Sequence, residues 1–337
     1  MKDIVIAGVS VKPGEQKTID IPAARLYTDL EAFVEVKVIR GRRPGPCVFI
    51  SAAIHGDELN GIEIARRLLK SRSINALKGT LIVVPILNVL GVLNQSRYLP
   101  DRRDLNRSFP GSAKGSLAGR LAHLFLQQIV CHCDYGIDLH TGAIHRSNLP
   151  QIRADLADEK TMELAKSFGV PVLLNADIRD GSLRESAGHM GCRVLLYEAG
   201  EALRFDELSI RAGVAGILNV MAALGMIRKS SRRKALEPYI AKSSRWVRAV
   251  SSGIVRERVG LGDMVEKNQL IAEIGNPMGN EVVPLHAPFA GIVIGKSNIP
   301  LVHEGEAMYH IAAFSKINDV GDEVEMLADT YLPSNNI

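Results

Sequence analysis

The chain has 337 residues, of which 46% are hydrophobic and 23% are charged. This length allows two domains, and this composition is ordinary for a globular protein with a large core. The formal net charge of +4 is too small to indicate a nucleic-acid partner. No stretch reaches the roughly 18 consecutive apolar residues of a membrane span, and the apolar segment after Met1 is too short for a secretory signal. The four cysteines form no Cys-x-x-Cys pair, which is typical of buried free thiols, so we expect a cytoplasmic protein without a membrane partner.

The first polar cluster lies where a predicted strand meets a predicted helix. Residues 1–45 are expected to be β-rich and irregular, and the apolar run at residues 47–50 predicts a buried strand. Apolar residues recur at helical spacing over residues 59–70, which predicts a helix. His55 and Glu58 therefore lie between a strand end and a helix start, where sites collect in open α/β sheets. Three residues apart, an imidazole and a carboxylate can converge on one metal ion.

A second strand end supplies a second histidine. Residues 79–85 predict a further strand and residues 116–132 a helix, with a long polar loop at residues 95–115 between them. The next strand ends in Asp138-Leu-His140, and residues two apart on a strand point to the same side, so Asp138 can hydrogen-bond His140. A His-x-x-Glu motif or a single histidine is common without a metal. Spacing alone therefore leaves the structural and the metal-binding interpretations open.

The rest of the chain divides into an alternating segment and a strand-rich segment. Helices are predicted over residues 158–168, 182–190 and 205–224, with strands over residues 170–174 and 192–198. This alternation predicts a mostly parallel sheet covered by helices. A basic run at residues 228–234 is interpreted as a solvated linker, so we predict two domains, 1–240 and 241–337. The second holds short strands between Gly-rich turns, which predicts an all-β module.

Four short blocks occur along the chain in an order that resembles a known family. The blocks are His55-Gly-Asp-Glu58, Asp104-Leu-Asn106-Arg107, Asp138-Leu-His140-Thr-Gly and Glu198-Ala-Gly200. Together they resemble the succinylglutamate desuccinylase/aspartoacylase family of the zinc carboxypeptidase-like superfamily. The resemblance extends over the predicted first domain. It implies an α/β fold with a mixed, mostly parallel sheet flanked by helices.

The resemblance also implies the metal ligands and the general base. One Zn²⁺ per subunit would be held by His55, Glu58 and His140, with a water in the fourth position. Glu198 matches the catalytic glutamate of the family, which takes a proton from that water. Glu201, three residues further on, is the alternative base.

Substrate contacts in the resembled family come from the loop before the second histidine. Asn106 and Arg107 match the pair that holds the substrate carboxylate, for which a planar guanidinium is well suited. A further arginine polarises the scissile carbonyl and stabilises the oxyanion. Arg97 and Arg102 compete for this role, and the Arg-Tyr pair of the family favours Arg97. Two further arginines that could line the pocket are Arg146 and Arg153.

The C-terminal module resembles a biotinyl/lipoyl-type barrel-sandwich in several short glycine-containing segments. Those carriers bear a modified lysine in a central hairpin turn, whereas the corresponding turn at residues 275–280 contains no lysine. We therefore expect no prosthetic group, and a module that caps the active site or mediates contacts in a homo-oligomer. His286, His303 and His310 have no clustered partners in this module, so none of them receives a role.

The favoured function is that of a zinc-dependent hydrolase. Its substrate would be the amide bond of an N-acyl amino acid or a similar small carboxylate, and resemblance to longer bacterial members points to N-acetylated diamino acids as one class. Two alternatives stay open, namely a metallocarboxypeptidase acting on peptides and a non-catalytic metal-binding scaffold. The presence of Glu198 beside a complete ligand set favours an enzyme over the scaffold.

Overall fold

The computed structural model of the chain describes residues 3–176, 180–229 and 236–332. The strands in these ranges are β1 (Ile4–Ile6), β2 (Val9–Val11), β3 (Gln16–Arg25), β4 (Glu31–Arg40), β5 (Cys47–Ala52), β6 (Thr80–Val84), β7 (Tyr135–Gly142), β8 (Arg146–Ala154), β9 (Val172–Asn175), β10 (Arg193–Glu201), β11 (Tyr239–Ala241), β12 (Ser243–Arg248), β13 (Gly253–Glu257), β14 (Met264–Val265), β15 (Leu270–Gly275), β16 (Val282–His286), β17 (Gly291–Ser297), β18 (Leu301–Val302) and β19 (Ala307–Ala313). The helices are α1 (Asn60–Leu69), α2 (Val89–Leu93), α3 (Leu117–Gln128), α4 (Glu159–Phe168), α5 (Leu183–His189), α6 (Glu207–Ala223) and α7 (Ile317–Tyr331), with one-turn 3-10 helices at Arg72–Ile74, Leu105–Arg107 and Val130–His132. The elements predicted up to residue 224 are present, with ends shifted by a few residues. The basic run at residues 228–234 lies mostly outside the described residues.

Four parallel strands form the centre of the main sheet, in the order β6, β5, β7 and β10. The residues of β5 and β6 are buried throughout, and alternate residues enter two different cores. Val48 and Ile50 belong to a core shared with α1, α4 and α6, whereas Phe49 belongs to one shared with α3 and α5. A strand that is buried on both faces requires a continuous apolar sequence, as residues 47–50 have. The predicted mixed α/β sheet flanked by helices is confirmed.

Antiparallel strands extend this sheet on both sides. β4 and β3 follow β6, and β8 pairs with β10 on the opposite side. β8 was not predicted because Asn148, Pro150 and Gln151 interrupt its apolar residues. The other edge of β8 changes partner at Pro150, since residues 146–148 pair with β17 and residues 151–154 pair with β9. A proline has no N–H to donate, so it is tolerated at this junction between two ladders.

The C-terminal strands continue the main sheet. β17 joins β8, and β19 and β12 follow in antiparallel order. A second sheet in the order β16, β15, β13 and β18 shares a buried core with β17 and β19. The segment is rich in strands, as predicted, but it is not all-β because α7 follows the last strand. This helix buries Val320, Leu327 and Tyr331 in a core shared with α6. The boundary at residue 240 stays a prediction.

Two further expectations concern the cysteines and the membrane. Cys47, Cys133 and Cys192 are buried free thiols, as expected. Cys131 is exposed, contrary to the expectation, because it lies on the 3-10 turn that follows α3. Within the described ranges, no helix combines the length and the apolar character that crossing a bilayer would require.

Candidate active site

Two histidines and a glutamate converge at the carboxyl ends of β5 and β7. His55 and Glu58 lie in the turn between β5 and α1, and His140 lies near the end of β7. Glu58 reaches both imidazoles, because its Oε1 is 2.7 Å from His55 Nδ1 and its Oε2 is 2.9 Å from His140 Nδ1. None of the three residues is more than 5% exposed, and one ligand atom of each lies within 4.8 Å of the others. The structure therefore brings together the three residues predicted as metal ligands.

Each imidazole has a second carboxylate at its other nitrogen. His140 Nε2 is 2.8 Å from Asp138 Oδ2, as predicted, and the Ser51 hydroxyl donates to Asp138 Oδ1 at 2.7 Å. His55 Nε2 is 3.1 Å from Asp104 Oδ1, a contact that the sequence analysis did not predict. A carboxylate that accepts from Nε2 fixes the tautomer and leaves the Nδ1 lone pair for a cation. Two imidazole nitrogens and one carboxylate are a donor set that fits a zinc site with an open position.

Burial and charge act against each other on the pKa values of this cluster. Burial alone would lower the pKa of His140, but Asp138 and Glu58 raise it well above the ordinary histidine value. Burial would also lower the pKa of His55, but Glu58 and Asp104 together raise it above the ordinary histidine value. Burial would raise the pKa of Glu58, but the two imidazoles bring it well below the ordinary range. The cluster thus stabilises positive charge, whether carried by protons on the imidazoles or by a metal cation.

Glu198 reaches the same cavity from the neighbouring strand. This cavity has a volume of about 470 Å³, and the His–Glu–His cluster forms one end of it. Glu198 on β10 is paired in register with His140 on β7. Its Oε2 accepts a hydrogen bond from Asn148 Nδ2 at 2.5 Å and lies 3.4 Å from Nη2 of Arg153. A carboxylate in this position is available to exchange a proton with a molecule bound in the cavity.

The alternative base, Glu201, is directed elsewhere. Its Oε1 accepts from the backbone N–H of His145 at 3.1 Å, and its Oε2 accepts from Asn298 Nδ2 at 2.8 Å. Asn298 directly follows β17, so Glu201 links the end of β10 to the C-terminal strands. It is not among the residues that line the cavity, whereas Glu198 is.

The structure also distinguishes between Arg97 and Arg102, the two candidates for contact with the scissile carbonyl. Arg97 lines the cavity, where its Nη2 donates to Asp104 Oδ2 at 2.8 Å and its Nη1 lies 3.5 Å from Glu58 Oε1. Arg102 is exposed, adopts a φ of 62° in the adjacent loop, and does not line the cavity. The geometry therefore favours Arg97 over Arg102 for contact with a substrate carbonyl.

Asn106 and Arg107 line the cavity from the 3-10 turn at Leu105–Arg107. Asp104 caps this turn, because its Oδ1 accepts from the backbone N–H of Asn106 at 2.8 Å. The Asn106 Oδ1 accepts from the backbone N–H of Leu183 at 2.9 Å, so the amide group turns its Nδ2 donor the other way. The predicted substrate-binding pair is thus held at the same cavity as the histidines.

The far wall of the cavity comes from β8 and from the C-terminal strand β12. Arg146 lies there as expected, with its guanidinium carbon 5.3 Å from the centre of the Trp246 ring. The Trp246 ring also stacks on His310, with ring centres 4.9 Å apart and planes at 11°. β12 and β19 pair these two residues directly, so the neighbour of His310 is an aromatic ring, and among the described residues it joins no cluster of metal-ligating side chains. The sequence analysis did not predict that Trp246 and Asn148 line the cavity. Trp246 could have been noticed as the single tryptophan of the chain, whereas no spacing in the sequence indicated Asn148.

Fold and cavity together define an α/β protein with a candidate metal centre at the carboxyl edge of its sheet. Residues 44–224, more than half of the chain, match the succinylglutamate desuccinylase/aspartoacylase catalytic domain. The chain therefore belongs to the succinylglutamate desuccinylase/aspartoacylase family, as its four sequence blocks predicted.

Relatives of known name and structure agree with this assignment. The chain is 26% identical over 293 residues to the N-alpha-acetyl-L-2,4-diaminobutyric acid deacetylase of Halomonas elongata, covering 83% of this chain and 85% of that protein. It is 29% identical over 223 residues to a succinylglutamate desuccinylase of Pseudomonas aeruginosa, covering 61% of this chain and 65% of that one.

Solved structures share the fold. The product-bound ectoine utilization protein EutE (DoeB) of Ruegeria pomeroyi superposes with a TM-score of 0.80 at 22% identity, covering 90% of this chain and 96% of that chain. An aspartoacylase family protein of Mesorhizobium loti superposes with a TM-score of 0.75 at 27% identity, with the same coverage of 90% and 96%. The similarity thus extends beyond residue 224 into the C-terminal strands.

Proposed function

We propose that the protein is a zinc-dependent hydrolase that cleaves the amide bond of an N-acyl amino acid or a similar small carboxylate. The observation that carries this proposal is the pairing of Glu58 with Nδ1 of both His55 and His140, beside Glu198 in one cavity. His55, Glu58 and His140 would hold one Zn²⁺ per subunit. When bound, zinc acts as a Lewis acid and lowers the pKa of water to roughly 7.

The remaining chemistry belongs to the side chains of the chain. Glu198 accepts a proton from the attacking water, whose oxygen forms a bond to the acyl carbon. The C–N bond then breaks, and Glu198 returns the proton to the leaving nitrogen, which gives a carboxylic acid and an amine. Arg97 donates to the oxyanion that develops on the carbonyl oxygen. Asn106 and Arg107 bind the substrate carboxylate through an amide donor and a guanidinium.

The named relatives support a deacylase over the two alternatives. One is named as a deacetylase of an N-acetylated diamino acid and the other as a desuccinylase of succinylglutamate, so both names describe removal of an acyl group from an amino acid. Neither of these two names describes a peptidase. A non-catalytic scaffold would need neither Glu198 nor Arg97 in the cavity. The homo-oligomer and the cytoplasmic location stay predictions.

The test is amine release from a panel of N-acyl amino acids by the purified protein, before and after treatment with a chelator. We expect turnover of at least one member, loss of turnover with chelator and recovery with Zn²⁺. Glu198→Gln should lower kcat by about 100- to 10,000-fold, the range of a general base. Glu201→Gln is the matched control and should remain active, because Glu201 lies outside the cavity. Chelator-resistant turnover, or full activity of Glu198→Gln, would contradict the proposal.

A further inference from the structure

A row of paired residues crosses five strands, from Gly200 on the strand of Glu198 to the C-terminal segment. Asn148 of β8 is paired with Gly200 of β10 on one side and with Gly295 of β17 on the other. Gly295 is in turn paired with His310 of β19, and His310 with Trp246 of β12. The row connects β10, the strand that carries Glu198, with three strands of the C-terminal segment.

Asn148 is the member of this row that touches Glu198. It is 6% exposed, and its Nδ2 donates to Glu198 Oε2 at 2.5 Å. Arg153 is a weaker partner of the same oxygen, at 3.4 Å. A neutral amide can orient a carboxylate through a directional hydrogen bond without neutralising it, which suits a group that must accept a proton.

The other end of the Asn148 amide faces Gly295. A methyl group built on Gly295 would lie 2.9 Å from Asn148 Oδ1 and 3.2 Å from the Cβ of His310. Gly295 has an ordinary φ, so its backbone conformation does not require glycine. Glycine is required there only because the two neighbouring side chains occupy the space of a Cβ. The missing side chain therefore lets the Asn148 amide lie against β17 with its donor end directed at Glu198.

His310 and Trp246 close the row on the far side. Burial and the charge of Arg153 lower the pKa of His310 to about 3, so the imidazole is neutral near pH 7. The neutral ring packs against the Trp246 ring, with 4.9 Å between the ring centres. This stack leaves His310 little room to move away from an added group at Gly295.

We propose that Asn148 is a positioning residue for Glu198, and that β17 sets its orientation through the absent side chain of Gly295. The proposal rests on the proposed function, because it takes Glu198 as the proton acceptor of the hydrolytic reaction. It gives the C-terminal segment a specific role in catalysis, namely to hold the amide that aims the carboxylate.

The first test replaces Asn148 by Asp, which has the same shape but cannot donate as a carboxylate. Hydrogen bonds to charged groups contribute enough for a loss of about 10- to 100-fold in kcat. We expect that loss with KM within about twofold of the wild type and unchanged zinc content, because the proposed carboxylate contacts and metal ligands are other residues. A wild-type kcat in Asn148→Asp overturns the proposal, as does a loss confined to KM.

The second test acts from the C-terminal segment. Gly295→Ala should lower kcat several-fold, whereas Gly260→Ala should not, since its nearest neighbours are at 3.6 Å. In an Asn148→Ala background, Gly295→Ala should cause no further loss, because the oxygen it displaces is gone. An equal loss in both backgrounds would mean that Gly295 acts independently of Asn148 and would overturn this half of the proposal.

A third measurement does not depend on turnover. Crystal structures of the wild type and of Asn148→Asp should show the Glu198 carboxylate displaced in the variant, with the His55–Glu58–His140 cluster unchanged. A carboxylate in the same position in both structures overturns the positioning role. If the wild type hydrolyses no N-acyl amino acid, the proposed function fails, while this comparison still decides whether Asn148 positions Glu198.

Discussion

The two ends of the cavity are built in different ways. At the metal end, His55 and Glu58 come from a single turn, and His140 comes from the adjacent strand β7. At the far end, Asn148 and Trp246 are about a hundred residues apart in the chain, and they line the same cavity because β8, β17, β19 and β12 are successive neighbours in the sheet. Local chain geometry thus brings the proposed ligands together, while the register of a mixed sheet forms the far wall. Substitutions at the two ends should therefore impair different properties of the protein.

The largest effect is expected at the metal end. His140→Ala removes one of the two proposed imidazole ligands and leaves Glu58 with His55 as its imidazole partner. We expect zinc content to fall to background and turnover to be lost by orders of magnitude. The measurement is elemental analysis of the purified variant together with amine release. One equivalent of zinc in an inactive or active His140→Ala protein would remove this residue from the ligand set.

A smaller effect is expected one contact further from the metal. Asp138→Asn keeps the shape of the side chain but weakens the hydrogen bond to His140 Nε2, now 2.8 Å long. Loss of such an orienting carboxylate typically costs 10- to 100-fold in metal affinity, so we expect a shift of about that size. Competition with a chelator of known affinity measures it. Unchanged zinc affinity would show that His140 is held in place without Asp138.

The substrate loop should respond through binding. Arg107→Ala should raise KM for carboxylate-bearing substrates by about 10- to 100-fold, since a charge-assisted hydrogen bond is lost. Arg102→Ala is the matched control, because Arg102 lies in the same loop but outside the cavity. Equal kinetics for the two variants would discard the carboxylate clamp.

The smallest effect is expected at the far wall. Trp246→Ala removes a ring that stacks on His310 and lies under Arg146, and aromatic stacking of this kind contributes about 0.5–1.5 kcal/mol. We expect a lower melting temperature and a few-fold rise in KM, with unchanged zinc content. Trp246→Phe should restore most of the stability because it keeps a stacked ring. Loss of zinc in Trp246→Ala would mean that the two ends are not independent.

The difference between the ends also explains what the sequence could reveal. The metal end was predictable because local periodicity placed His55, Glu58 and His140 at the ends of strands, and because the family resemblance implied that these three residues form one ligand set. The far wall was not predictable from the sequence, because β8 is buried through its pairing with β10 and β17 and has no apolar pattern of its own. The stack of His310 on Trp246 could not be predicted for the same reason, since it depends on the register of two strands whose paired residues are 64 positions apart. The prediction of an all-β module is also wrong for helix α7, which buries Val320 and Leu327.

The most direct test is an anomalous diffraction map of crystals grown with Zn²⁺, recorded on both sides of the zinc absorption edge. We expect one peak per subunit, at about 2.0–2.2 Å from Nδ1 of His55, Nδ1 of His140 and a carboxylate oxygen of Glu58. A peak held by other residues, or no peak in crystals of a protein that hydrolyses N-acyl amino acids, would contradict this expectation.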